Sequence, residues 1–95
     1  MGEWRPVLDL GKVKMTSGFK AALSRGEDDP FDFLIRHSSG DLGDLKYQED
    51  RDANEAAVIQ GLLVLSEYHL RDGTRFWLIT EADRSVTTFL LPEEY

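Results

Sequence analysis

The sequence predicts an α+β fold: an N-terminal short strand, three short helices, then a C-terminal three-stranded antiparallel meander packed on the helices. Three observations carry this expectation. From Gly61 to Pro92 the chain reads GLLVLSEYHLRDGTRFWLITEADRSVTTFLLP, three runs rich in aliphatic, aromatic and β-branched residues, broken by Arg71-Asp72-Gly73-Thr74 and by Ala82-Asp83-Arg84-Ser85. Upstream, Thr16 and Asp29-Pro30 are helix-start signals ahead of apolar stripes. Before both, Leu8, Leu10, Val13 and Met15 make a short alternating run.

In chain order, residues 1–7 carry no periodic pattern and are expected as a loose tail, with Trp4 able to pack back on the sheet. The strand over 8–15 is interrupted at Gly11, where a bulge or turn fits. Thr16 offers a side-chain oxygen as N-cap, and Phe19, Ala22 and Leu23 form a one-sided stripe that ends before Gly26. Asp29 is the next N-cap, Pro30 the first helical residue, and Asp32 lies in the first turn, where the helix dipole favours negative charge. That helix runs to Arg36-His37 and stops at Ser38-Ser39-Gly40. A third is expected over 47–60, with Ala53, Ala56, Ala57 and Gln60 on one stripe and Gly61 as its C′ residue.

In the meander, Asp72-Gly73 is expected to form a type I′ hairpin turn, because its twist suits the flanking strands. That turn sets Tyr68 opposite Trp77 and Glu67 opposite Leu78. A second turn centred on Asp83-Arg84 sets Trp77 opposite Leu90 and Thr80 opposite Thr87. One face then carries Leu63, Leu65, Phe76, Leu78, Phe89 and Leu91, the other Val64, Tyr68, Trp77, Ile79, Val86 and Leu90. Both are apolar, so both need a cover: helices on one, and a protein partner or a second copy on the other.

Ninety-five residues make a single domain with one core, 1–95. Without cysteine there is no disulfide framework, thiolate nucleophile or cysteine-ligated zinc, and the cytoplasm is the simplest compartment. The opening MGEWRPVLDL lacks the pattern of a signal peptide, and no apolar run reaches the roughly 20 residues of a membrane span, so no membrane association is expected. Eighteen acidic against eleven basic residues leave a net charge of −7, which argues against direct nucleic-acid binding.

The segments Leu10-Gly11-Lys12-Val13, Arg36 to Gly43 (RHSSGDLG) and Thr80 to Tyr95 (TEADRSVTTFLLPEEY) resemble a family of small uncharacterised proteins encoded by bacteria, phages and plasmids. The likeness runs from about Leu10 to Tyr95. Where that family shows Thr-Pro-Gly this chain has Thr16-Ser17-Gly18, and Leu42 stands where the family has tryptophan. Family labels include plasmid-related protein and type I restriction methylase subunit. The chain lacks the glycine-rich strand-to-helix motif that a methylase cofactor fold needs. The resemblance implies a mobile-element accessory protein.

Candidate chemistry is sparse. Arg36, His37 and Asp41, with Asp44 and His69 or Glu67, suggest an acid–base cluster or a weak metal site, against the plainer reading of a histidine that caps a helix C-terminus. No cofactor is expected. Asp50, Asp52 and Asn54 open like a calcium loop, but Glu55 and Gly61 occupy positions that need glycine and glutamate. A triad of Ser66, His69 and Asp72 fails because Ser66 and His69 face opposite sides of one strand. The expected function is non-catalytic protein binding through Tyr68, Arg75, Trp77, Glu81, Asp83, Arg84 and Leu90, by a mobile-element factor that modulates a host protein. The alternative is a small metal-dependent hydrolase or nuclease built on Arg36, His37 and Asp41.

Overall fold

Of the alternating run 8–15, only Lys12–Met15 is a strand (β1), because Gly11 turns the chain with φ 63° just before it. The structure is a computed structural model that describes residues 8–41, 43, 56–57 and 60–95. Thr16 ends β1 and caps α1 (Ser17–Ser24), its side chain accepting from the Phe19 N–H. Asp29 caps α2 (Pro30–Ser38) by accepting from the Phe31 N–H, and Pro30 takes the first turn, where its missing N–H costs nothing. The expected third helix lies mostly outside the described residues. Ala56, Ala57 and Gln60 are helical, Gly61 has φ 72°, and the Leu62 N–H bonds back to the Ala57 carbonyl at 2.9 Å, as a helix closed by a C′ glycine requires.

The last three strands, β2 (Val64–His69), β3 (Arg75–Thr80) and β4 (Val86–Leu90), form the expected antiparallel meander, followed by a 3₁₀ turn at Pro92–Glu94. The sheet nevertheless has four strands, in the order β1-β4-β3-β2. β1 pairs parallel to β4, Lys12 with Val86 and Met15 with Phe89. Because Thr16 sends the chain straight into a helix, β1 has no hairpin partner and must find a strand distant in sequence.

The first hairpin corrects the expected register by one residue. Gly73 has φ 90° but Asp72 does not have positive φ, so the loop is not type I′. The Gly73 N–H bonds to the Leu70 carbonyl and the Leu70 N–H to the Thr74 carbonyl, both at 2.9 Å. Arg71-Asp72-Gly73 is therefore a three-residue loop, a type I turn followed by a left-handed glycine. Tyr68 consequently pairs with Phe76, and Glu67 with Trp77. One added loop residue moves every β2 side chain to the other face. The β3–β4 register is the expected one, with Trp77 opposite Leu90 and Thr80 opposite Thr87.

The face under the helices thus carries Val64, Ser66 and Tyr68 from β2, beside Phe76, Leu78, Thr80, Thr87 and Phe89. Phe19 of α1 stacks on Phe89 with centroids 4.7 Å apart, and Phe33 of α2 meets Phe76 edge-on at 4.9 Å. A smaller cluster joins Leu8, Ala57 and Val64. The second face carries Leu65, Glu67, Trp77, Ile79, Val86, Thr88 and Leu90. Its centre is less bare than the sequence suggests: Ile79 and Leu90 are 4% and 6% exposed, and Tyr95 stands edge-on to Trp77 at 5.8 Å.

Candidate functional site

Helix periodicity decides where α2 sends its polar end. Phe33 and His37, four residues apart, share the face that meets the sheet, so the imidazole enters the core. There Nδ1 lies 2.5 Å from Ser66 Oγ and Nε2 lies 2.8 Å from Thr80 Oγ1. Thr80 Oγ1 is 2.7 Å from Thr87 Oγ1, which donates to the Leu10 carbonyl at 2.7 Å. Ser66, His37, Thr80 and Thr87 are all fully buried.

That terminal carbonyl fixes the direction of every proton in the chain. Leu10 offers only an acceptor, so Thr87 donates to it and accepts from Thr80. Thr80 has then spent its proton, so His37 Nε2–H donates to it, and Nδ1 accepts from the Ser66 hydroxyl. This is a neutral imidazole with one donor and one acceptor nitrogen. Burial lowers the His37 pKa to about 4, with the Arg84 guanidinium contributing in the same direction. The dipole of an α-helix C-terminus favours the cation; at this depth desolvation outweighs it.

Of the expected Arg36, His37 and Asp41 cluster, Arg36 and Asp41 meet while His37 stands apart. Arg36 Nε donates to Asp41 Oδ2 at 2.8 Å near the surface, and its guanidinium lies 4.6 Å from the centroid of the Tyr68 ring. The Tyr68 hydroxyl donates to the Asp41 carbonyl. His37 instead points into the core, where it bonds Ser66 and Thr80. Asp44 lies outside the described residues, as do Asp50, Asp52, Asn54 and Glu55 of the rejected calcium loop. Among the described residues no group of three His, Asp or Glu side chains is placed to hold a metal ion. Ser66 and His69 do face opposite sides, Ser66 buried and His69 exposed, so the rejected triad stays rejected.

The expected binding set is divided. Tyr68 is fully buried on the helix-covered face, moved there by the register of the first hairpin. Asp83 is a turn residue, accepting from the Ser85 N–H at 2.9 Å and the Ser85 hydroxyl at 2.5 Å. Arg84, at φ 62°, reaches back to donate to the carbonyls of Leu62 at 2.6 Å and Ala57 at 3.3 Å, cations being favoured at such a helix end. Trp77, Arg75, Glu81 and Leu90 do share the second face. There Glu67 accepts from Trp77 Nε1 at 2.9 Å and lies 3.8 Å from Arg75 Nε.

On the same face a cleft of about 290 Å³ opens between the meander and the C-terminal turn, with Ile79, Thr88 and Leu90 on its floor and Glu81, Glu94 and Tyr95 around it. Glu94 is fixed. Its carboxylate accepts from the Thr16 hydroxyl at 2.5 Å, the Leu91 N–H at 2.9 Å and the Gly18 N–H at 3.1 Å, bonds that hold its pKa below the usual carboxylate value. Glu94, Tyr95 and Thr88 as cleft residues, Ser66 and Thr80 as partners of His37, and Thr87 as the next link after Thr80 are not among the candidates that the sequence offers. The Thr80–Thr87 cross-strand pair was the signal for a buried polar site; what it paired with depended on the rotation of α2.

No helix among the described residues is long and apolar enough to cross a membrane. Comparison of the chain with family models, curated proteins and solved structures found no match.

Proposed function

We propose that the chain is a non-catalytic protein-binding protein that docks a protein partner on the second face of its sheet. In keeping with the resemblance drawn from its sequence, its role is that of a mobile-element accessory factor that modulates a host protein. One observation carries the reading: the imidazole and hydroxyl best suited to chemistry, His37 and Ser66, are sealed and hydrogen-bonded, while the second face offers an aromatic, apolar and acidic cleft. Amphipathic aromatics such as Trp77 and Tyr95, with Arg75 and Glu81 as a polar rim, are the side chains that protein interfaces favour.

The test is affinity capture from a lysate of the native host, with the parent chain and with Thr88→Trp, which fills the cleft from a half-buried position. A stoichiometric protein is expected on the parent and is lost on the variant. Equal recovery on both, or no recovery together with a monomer by sedimentation, overturns the reading. Self-association that Thr88→Trp abolishes identifies a second copy as the partner.

A further inference from the structure

The cleft on the second face has one carboxylate that no described residue engages. Glu94 is bound by three donors, but the Glu81 side chain has no ion-pair partner among the described residues. Ile79 and Leu90 give the cleft an apolar lining, Thr88, opposite Ile79 in the sheet, lines it too, and so does the exposed Tyr95. Among the described residues no cationic side chain lines it. At about 290 Å³ it lies at the lower edge of the roughly 300–1,000 Å³ of small-molecule pockets, so it suits one side chain of a larger partner better than a free ligand.

Resting on the reading that this face docks a protein, we propose that the cleft receives a lysine side chain of the partner, with its ammonium on Glu81. The aliphatic stem lies over Ile79 and Leu90 while the charged head stays at the rim, the division of labour that a lysine side chain has built in. Tyr95 adds attraction between a cation and an aromatic ring, and Glu94, held anionic by its hydrogen bonds, adds a second negative charge. The chain's net charge of −7 favours encounter with a basic surface. Lys14 neighbours Thr88 in the sheet register but does not line the cleft, and its charge opposes entry of a second cation.

The experiment is an NMR titration of the whole chain with N-acetyl-lysine methylamide, and with the same compound acetylated at Nε so that only the charge is lost. Saturable shifts of the Ile79, Thr88 and Leu90 methyls are expected. Binding should weaken about threefold to fivefold for the acetylated probe and for Glu81→Gln, the range of an exposed ion pair. Among the described residues Glu81 has no ion pair to lose, so the variant should keep the parent's amide spectrum away from the cleft. No saturable shift, or equal binding of the two probes, overturns the proposal. If a protein is captured through this face while the lysine probe does not bind, the lysine assignment falls and the binding reading stands. Selective lysine binding by a chain that captures no protein and sediments as a monomer leaves a lysine-selective cleft and removes the reading.

Discussion

At the scale of single residues, His37 is the side chain whose surroundings bear most directly on stability. Its neutral form is built into the core, with Ser66 donating to one nitrogen and Thr80 accepting from the other. The unfolded chain takes up a proton near pH 6.5, whereas the folded chain resists until about pH 4. Stability from this group is therefore complete above 6.5 and lost as pH falls toward 4, a total of roughly 3 kcal/mol by linkage. Denaturant midpoints should fall steadily from pH 7 to pH 5, above the range where Asp72, Asp83 and Glu94, all with lowered values, begin to protonate. An imidazole titration at the ordinary value by NMR, or a flat stability profile over that range, would contradict the neutral buried form.

At the scale of elements, local signals read well and contacts between distant elements did not. Thr16, Asp29 and Pro30 act where the sequence places them, because a cap is a bond between near neighbours. Pairing of β1 with β4 spans more than seventy residues and leaves no local mark. The register of β2 was lost to a single loop residue: Asp-Gly fits both a two-residue and a three-residue hairpin, and pairing alone settles which forms. Glu94 shows the same limit. It reads as an ordinary acidic residue, yet it stands at the N-terminus of α1, and the fold brings it so close that a Cβ on Gly18 would meet its carboxylate at 2.6 Å. Negative charge and an acceptor at that end of a helix are both stabilising. Glu94→Ala should lower the melting temperature by a few degrees and increase amide exchange in the first turn of α1, while Glu93→Ala, at an exposed position with no such bond, should do neither. Equal effects of the two substitutions would dissociate Glu94 from the helix.

At the scale of the whole molecule, the buried polar chain joins parts that the sequence keeps far apart: α2 through His37, β2 through Ser66, β3 through Thr80, β4 through Thr87, and the segment before β1 through the Leu10 carbonyl. Thr80 and Thr87 were legible as a cross-strand pair, but a polar pair in a covered face explains itself only once its third and fourth partners are known. The arrangement makes the site all-or-nothing. Removing one member leaves its neighbours buried without partners, at roughly 1–3 kcal/mol for each orphaned group, whereas replacing partners together by apolar groups of similar shape removes the penalty with the groups. Thr80→Val should thus cost more alone than in the background Ser66→Ala with His37→Leu, where the ring that needed it is gone. Adding Thr87→Val to that background should then cost little beyond the Leu10 carbonyl it leaves unbonded. Unfolding free energies of the single and combined variants test this directly: a sum of singles well above the combined loss is expected, and strict additivity would mean that the four side chains do not act as one network.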